Sequence, residues 1–215
     1  MIKLINVNKS YGPKAVSLSN INLHIKKGEF VFITGASGSG KTTLLKLLYG
    51  EARPTSGQVL INGKKIDTLK RSEIPYLRRR VGVVFQDFRL LEGRTIFENV
   101  AIPLEVSGTP TADIVKKVHS VLSTVRLHHR MDEKVSSLSA GEQQKVAVAR
   151  AVINDPLMLL ADEPTGSLDI KAGEEILDIL MGINAKGTTV VFATHNRALI
   201  KDGRVITIEK GRVFS

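Results

Sequence analysis

Phe30-Val31-Phe32-Ile33-Thr34 runs directly into Gly35-Ala36-Ser37-Gly38-Ser39-Gly40-Lys41-Thr42-Thr43, and a leucine-rich run continues to Tyr49. A short, nearly all-apolar run suits a strand buried on both faces. Thr42–Tyr49 has the look of a helix. The loop between them fits the G-x-x-x-x-G-K-[ST] pattern in the strand-to-helix context that gives the pattern meaning. Its glycines let the backbone wrap closely, with N–H groups aimed inward at phosphate oxygens. The helix start adds partial positive charge. Nucleotide contacts are therefore expected from Gly35, Ser37, Gly38, Ser39, Gly40, Lys41, Thr42 and Thr43. Lys41 would bring a point charge to the β- and γ-phosphates, and the Thr42 hydroxyl would ligate Mg²⁺.

Outward from the loop, apolar runs alternate with helical spacing. Strands are expected at Ile2–Val7, Ser19–Ile25, Val81–Phe85, Leu157–Ala161 and Thr189–Ala193, with a turn at Ser10–Pro13. Hairpins are expected around Asn62-Gly63 and Lys210-Gly211. Ile96–Leu104, Ala112–Val125, Ser139–Ile153 and Ala172–Asn184 read as helices. The pattern predicts an α/β chain with a largely parallel sheet. The helical stretch from Asp87 to Ile153 interrupts it as an inserted lobe.

Leu157–Ala161 ends in Asp162-Glu163. Such a strand places its carboxylates at the C-terminal edge, where α/β sheets bind ligands. Asp162 is the candidate for holding Mg²⁺ through its water shell. Glu163 is the candidate base, polarising a water for attack on the γ-phosphate. Ser139 is a good N-cap for a second helix start that could hold an anion.

With Leu138-Ser139-Ala140-Gly141-Glu142-Gln143-Gln144, the chain resembles the ATP-binding cassette (ABC) ATPases along essentially its whole length. The resemblance implies a P-loop NTPase fold of the ABC type: a RecA-like core, a small antiparallel β subdomain and an inserted helical subdomain. One ABC domain would span 1–215, with core and β subdomain at 1–86 and 154–215 and the helical subdomain at 87–153. It also implies roles for single residues. Tyr11 would stack on adenine. Gln86 would contact Mg²⁺ or the attacking water. Ser139, Gly141 and Glu142 would form the signature contact with nucleotide, Asp169 would couple two sites, and His195 would hydrogen-bond the γ-phosphate. It implies a head-to-tail homodimer clamping each ATP between subunits. Ala140 departs from the usual signature glycine, and Lys145 stands where arginine is common.

The run Val84–Leu104, with Asp87 after Gln86 and Arg94-Thr95 ahead of Asn99-Val100-Ala101, most resembles the bacterial cell-division ATPases of that family. Those work with an integral membrane protein that controls peptidoglycan hydrolases outside the cell. Lipoprotein-release and macrolide-export ATPases share much of the run and stay as alternatives. A soluble nucleic-acid-associated ABC protein is a further one, against which no sustained heptad or repeat is seen. A P-loop kinase is disfavoured by the signature and by Glu163.

The composition fits this picture. The 215 residues hold 31 Lys and Arg against 21 Asp and Glu, a net charge of +10, and no cysteine. Disulfides and thiolate chemistry are excluded. Met1–Leu4 lacks the apolar run of a signal peptide, and no stretch reaches the ~18 apolar residues of a membrane span. The expected place is the cytoplasmic face of the membrane, held there through a partner. The charge is uneven: residues 1–107 carry 17 basic and 8 acidic side chains, and Lys64–Arg80 alone has seven basic residues against Asp67 and Glu73. This run is either a solvated basic face or a patch for anionic lipid or an acidic partner segment. Nucleic acid is not the expected partner. The four other histidines, among them His119 and His128, read as structural.

Overall fold

The computed structural model describes residues 1–12, 16–201 and 203–214. Pro13, the last residue of the expected Ser10–Pro13 turn, lies outside them. The first sheet is antiparallel. It contains β1 (Ile2–Ser10), β2 (Val16–Ile25), β4 (Ser56–Ile61) and the short β5 (Lys64–Lys65), in the order β2-β1-β4-β5. β4 and β5 are the hairpin expected around Asn62-Gly63. The second sheet holds β3 (Phe30–Thr34), β6 (Val81–Val84), β7 (Met158–Asp162), β8 (Thr189–Thr194), β9 (Arg204–Glu209) and β10 (Arg212–Phe214), in the order β10-β9-β3-β8-β7-β6. Only β10 is antiparallel to its neighbour.

The all-apolar strands are explained by two cores on opposite faces of this sheet. Val31 and Ile33 join Met158, Leu160, Val191 and Ala193 in a core shared with the antiparallel sheet and with α1 (Lys41–Leu48). Phe32, Leu159, Ala161, Val190 and Phe192 face the other way, into a core built with the remaining long helices. A period-2 strand between two cores has no polar side to show.

Between β6 and β7 stand α3 (Ile96–Val106), α4 (Thr111–Thr124) and α5 (Ala140–Val152); α6 (Ile170–Ala185) follows β7. Thr95 caps α3 and Ser139 caps α5, each in a reciprocal capping box with a glutamate three residues on, Glu98 and Glu142. α4 lays Ile114, Val118 and Leu122 into the core.

Two features were not expected. β1 runs on to Ser10, past the expected end at Val7, with register shifts against β2 after Leu4, Val7 and Lys9. A further helix, α2 (Ile74–Arg79), lies inside the basic run. Its six residues contain no buried side chain, so it leaves no apolar stripe to read.

Candidate active site

The phosphate loop lies at the C-terminal end of β3, the inner strand between β8 and β9. α1 begins at Lys41, one residue before the expected start, behind Gly40. Gly40 has a φ of 117°, and a Cβ there would approach the Ser17 carbonyl to 2.7 Å, so the position requires glycine. A cleft of about 610 Å³ opens over this helix start. Ala36–Gly38 and Gly40–Thr43 line one side, and Ser17, Gln86, Glu163 and His195 the rest. Parallel strands bring these residues together: Gln86 follows β6, Glu163 follows β7 and His195 follows β8.

Glu163 is the hub. Its Oε1 lies 3.2 Å from the Lys41 Nζ, and its Oε2 accepts from the His195 backbone N–H at 3.2 Å. The same oxygen lies 2.9 Å from His195 Nδ1. A carboxylate accepts only, so Nδ1 carries the proton in this contact and leaves Nε2 as the free ring nitrogen. Glu163 itself sits at φ 49°, a left-handed conformation unusual for glutamate and of the kind that concentrates at working sites. Lys41 is nearly buried, and its ammonium also donates to the Gly35 and Ala36 carbonyls at 2.8 and 3.2 Å. Beside this cluster the Thr42 hydroxyl donates to Asp162 Oδ1 at 3.1 Å. Burial raises the Asp162 pKa above the usual carboxylate range, outweighing the Thr42 hydrogen bond and the nearby Lys41 charge.

Thr42, Asp162 and Gln86 are oxygen donors from three elements, the hard donor set that suits Mg²⁺. Gln86 is closely backed: a Cβ on Gly166 would stand 2.9 Å from its amide nitrogen.

The other candidates lie further from Glu163, Gly35 meeting the cluster only through the carbonyl that accepts from Lys41. Ser39 and Gly35 do not line the cleft. Ser39 is buried against Gly35, whose Cβ would come within 2.6 Å of the Ser39 hydroxyl. Tyr11 is 58% exposed, with the Lys9 ammonium 4.7 Å from its ring centroid. Asp169 caps α6, accepting from the Ala172 N–H at 2.8 Å. Ser139, Gly141 and Glu142 stand at the start of α5, outside the cleft. There Glu142 Oε2 accepts from the Ser139 backbone N–H at 2.9 Å and from its hydroxyl at 3.0 Å. The Ser139 backbone bond leads in holding the Glu142 carboxyl below its ordinary pKa, and the Arg130 guanidinium adds to it.

Sequence reasoning missed the ties that hold Gln86's segment. Gln144 is fully buried in α5, and its Nε2 donates to the Phe85 carbonyl at 3.2 Å and to the Pro164 carbonyl at 2.7 Å. Arg150, on the same helix, donates to the Phe88 and Arg89 carbonyls. Phe88 and Arg89 are consecutive left-handed residues, φ 54° and 51°, a strain of ~1–2 kcal/mol each. Asn99 of α3, also fully buried, exchanges two hydrogen bonds with the Leu91 backbone at 2.8 and 3.1 Å. Ser17 was also missed; its hydroxyl donates to Thr43 Oγ1 at 2.7 Å.

With this geometry in place, similarity to known proteins is informative. The model of the ABC transporter family matches residues 18–166. The cell division ATP-binding protein FtsE of Bacillus subtilis is 47% identical over 213 residues, covering 98% of this chain and 93% of that protein. FtsE of Escherichia coli K12 is 43% identical, covering 99% and 97%. Among solved structures, the dimeric post-hydrolysis state of the ATP-binding cassette MJ0796 bound to ADP and Pi superposes with a TM-score of 0.90. It is 39% identical and covers 99% of this chain and 96% of that one. The chain belongs to the ABC transporter family and is an FtsE-like ABC ATPase.

Proposed function

We propose that the chain is the ATP-hydrolysing subunit of a membrane complex of the cell-division type, working with an integral membrane partner of the FtsX type. The observation that carries the ATPase chemistry is the convergence of Lys41 and His195 on Glu163, beside the Thr42–Asp162 pair. In this reading the phosphate loop holds the phosphates, Lys41 the β- and γ-oxygens, and Tyr11 the adenine. Thr42, Asp162 and Gln86 hold Mg²⁺, which when bound would neutralise phosphate charge. Glu163 takes a proton from water as the water oxygen attacks the γ-phosphorus and the bond to the ADP oxygen breaks. His195 turns Nδ1 to Glu163 and Nε2 to the γ-phosphate, and Nε2 donates to a phosphate oxygen when it too carries a proton.

The α5 start lies outside the cleft, which supports a second copy supplying Ser139 and Gly141 to close each site, with Asp169 coupling the two. The dimeric state of the related cassettes favours the same arrangement. The division of the chain into a core at 1–86 and 154–215 and a helical subdomain at 87–153 is part of this proposal. Among the described residues no helix is long and apolar enough to cross a membrane. In this reading attachment to the cytoplasmic face comes through the partner. A groove of about 380 Å³ between α2, β6 and α3, with Phe85, Arg89 and Pro103 in its wall, suits a partner helix beside Gln86.

The test is phosphate release from ATP with and without Mg²⁺, followed by co-purification from detergent-solubilised membranes. Mg²⁺-dependent release and recovery of an FtsX-type protein are expected. Recovery of a lipoprotein-release or macrolide-export permease would replace the cell-division assignment and leave the ATPase reading standing.

A further inference from the structure

The basic run Lys64–Arg80 does not lie flat against solvent. It folds through β5, a turn and α2, and encloses a cleft of about 370 Å³ against β4 and the edge strand β6. That volume falls at the small end of the range for ligand sites, ~300–1,000 Å³. The floor is apolar: Ile61, Ile66 and Val81 are buried, and Leu69, Leu77 and Leu157 are partly so. Tyr76 stands at the margin, with the Arg79 guanidinium 5.3 Å from its ring centroid.

Lys64, Arg80, Glu73 and Asn62 are the polar residues of the lining. The Glu73 carboxylate accepts from the Lys70 backbone N–H at 2.7 Å and so secures the turn before α2. Lys65 pairs with Asp67 at 3.5 Å. Lys64 and Arg80 have no carboxylate in ion-pair contact among the described residues. None of these residues lines the nucleotide cleft.

An apolar floor beside unpaired cations matches an amphiphile with an anionic head. A bare anion would leave the floor wetted, and a neutral chain would leave the cations unanswered. We propose that this cleft seats an acyl chain of an anionic membrane lipid, with its head group on Lys64 and Arg80. Val81 lines both this cleft and the groove assigned above to the membrane partner, so the two flank α2 as neighbours. The membrane as source rests on that docking reading; the amphiphile site does not.

The experiment has two arms, both run with saturating ADP so that the phosphate loop is filled. In the first, calorimetry measures binding of dodecyl phosphate below its micelle concentration, against inorganic phosphate and dodecyl maltoside. In the second, flotation compares vesicles of phosphatidylglycerol and phosphatidylcholine. Saturable binding of dodecyl phosphate alone is expected, with flotation on phosphatidylglycerol only. Lys64→Gln and Arg80→Gln should each weaken binding about fivefold, and together about thirtyfold. Leu77→Trp and Leu69→Trp fill the cleft and keep every charge, and both should abolish dodecyl phosphate binding. Hydrolysis of ATP at the wild-type rate shows that each variant is folded.

Equal binding of inorganic phosphate would reduce the site to a bare anion contact and overturn the proposal. Undiminished binding in a tryptophan variant that still hydrolyses ATP would restore the solvated basic face. Dodecyl phosphate binding without preference between the vesicles would keep the cleft and remove the membrane as its source.

Discussion

Two helices of this chain begin where a phosphate could sit, and they begin differently. α1 starts behind Gly40, which offers no side-chain cap, and its first turn has no carboxylate. Its amide groups are left for a ligand, and Lys41 adds positive charge to the helix dipole. α5 starts behind Ser139 in a closed capping box with Glu142. Its hydroxyl and the Ser139 and Glu142 amides are already engaged, and the first turn carries a negative charge paired with Arg130. In the proposed function the first helix start would complete an anion site with residues of its own chain, around Glu163. The second secures its own helix first, and in the proposed dimer would meet nucleotide beside that cap.

Glu163 is the side chain on which the two helix starts differ most. Glu163→Gln keeps the shape of the site and removes the proton acceptor. Hydrolysis should fall by ~10²–10⁴-fold while ATP still binds. Sedimentation with ATP should then show a stable dimer, since the open and the capped helix starts are held together on unhydrolysed nucleotide. Normal hydrolysis by this variant would move the base elsewhere in the cleft.

Arg150→Leu tests what joins the two ends. α5 begins at the signature and, through Gln144 and Arg150, holds the backbone on either side of Gln86. Losing the guanidinium removes two charge-assisted hydrogen bonds that hold a left-handed segment. A cost of ~2–4 kcal/mol follows, read by calorimetry as a Tm lowered by ~5–15 °C. Displacement of Gln86 should lower kcat by ~10–100-fold and leave KM for ATP nearly unchanged. In a Gln86→Ala background the same substitution should add little to the loss of kcat. A full additive loss there would show that Arg150 does not act through Gln86.

This linkage also marks where sequence reading stops. The phosphate loop is contiguous, so Gly35–Thr43 declares itself. Asp162-Glu163 declares itself because an apolar strand must end where α/β sheets bind ligands. The ligands of Gln144, Arg150 and Asn99 are backbone carbonyls and amides in distant segments, and those atoms carry no side-chain signature. All three residues also fit a helical pattern without any role. α2 was hidden because its contacts are too few to impose a stripe. The cleft beside it was hidden because Ile66, Leu77 and Leu157 meet only in three dimensions. The reciprocal bond of Ser139 and Glu142 was within reach, since Ser-x-x-Glu is itself a capping pattern.

Glu142→Gln sharpens the contrast between the helix starts with a smaller effect. Glutamine can keep the capping box, but it removes the charge at the α5 start. ATP-dependent dimerisation should tighten by about fivefold at low salt, and the gain should shrink as salt rises, as for a partly exposed charge. Weaker dimerisation at every salt concentration would mean that the carboxylate, through Arg130, is needed to aim the helix start.

The smallest expected effect lies at Asp162, back at the open end. Burial is the leading cause of its raised pKa, so the charged carboxylate is less stable folded than unfolded. Above the raised pKa both states are ionised and the fold bears the full penalty. Between the ordinary carboxylate value and the raised one the folded state alone holds the proton, so stability is lost as pH rises through that window. Below both values the penalty is gone. Asp162→Asn keeps an oxygen to accept from Thr42 and removes the charge. Its Tm should exceed that of the wild type at neutral pH, and the two should converge as pH falls below the window, while Mg²⁺-dependent hydrolysis is lost. A Tm below wild type at neutral pH would mean that attraction to Lys41 outweighs burial, and that the open helix start is balanced by Asp162 as the α5 start is by Glu142.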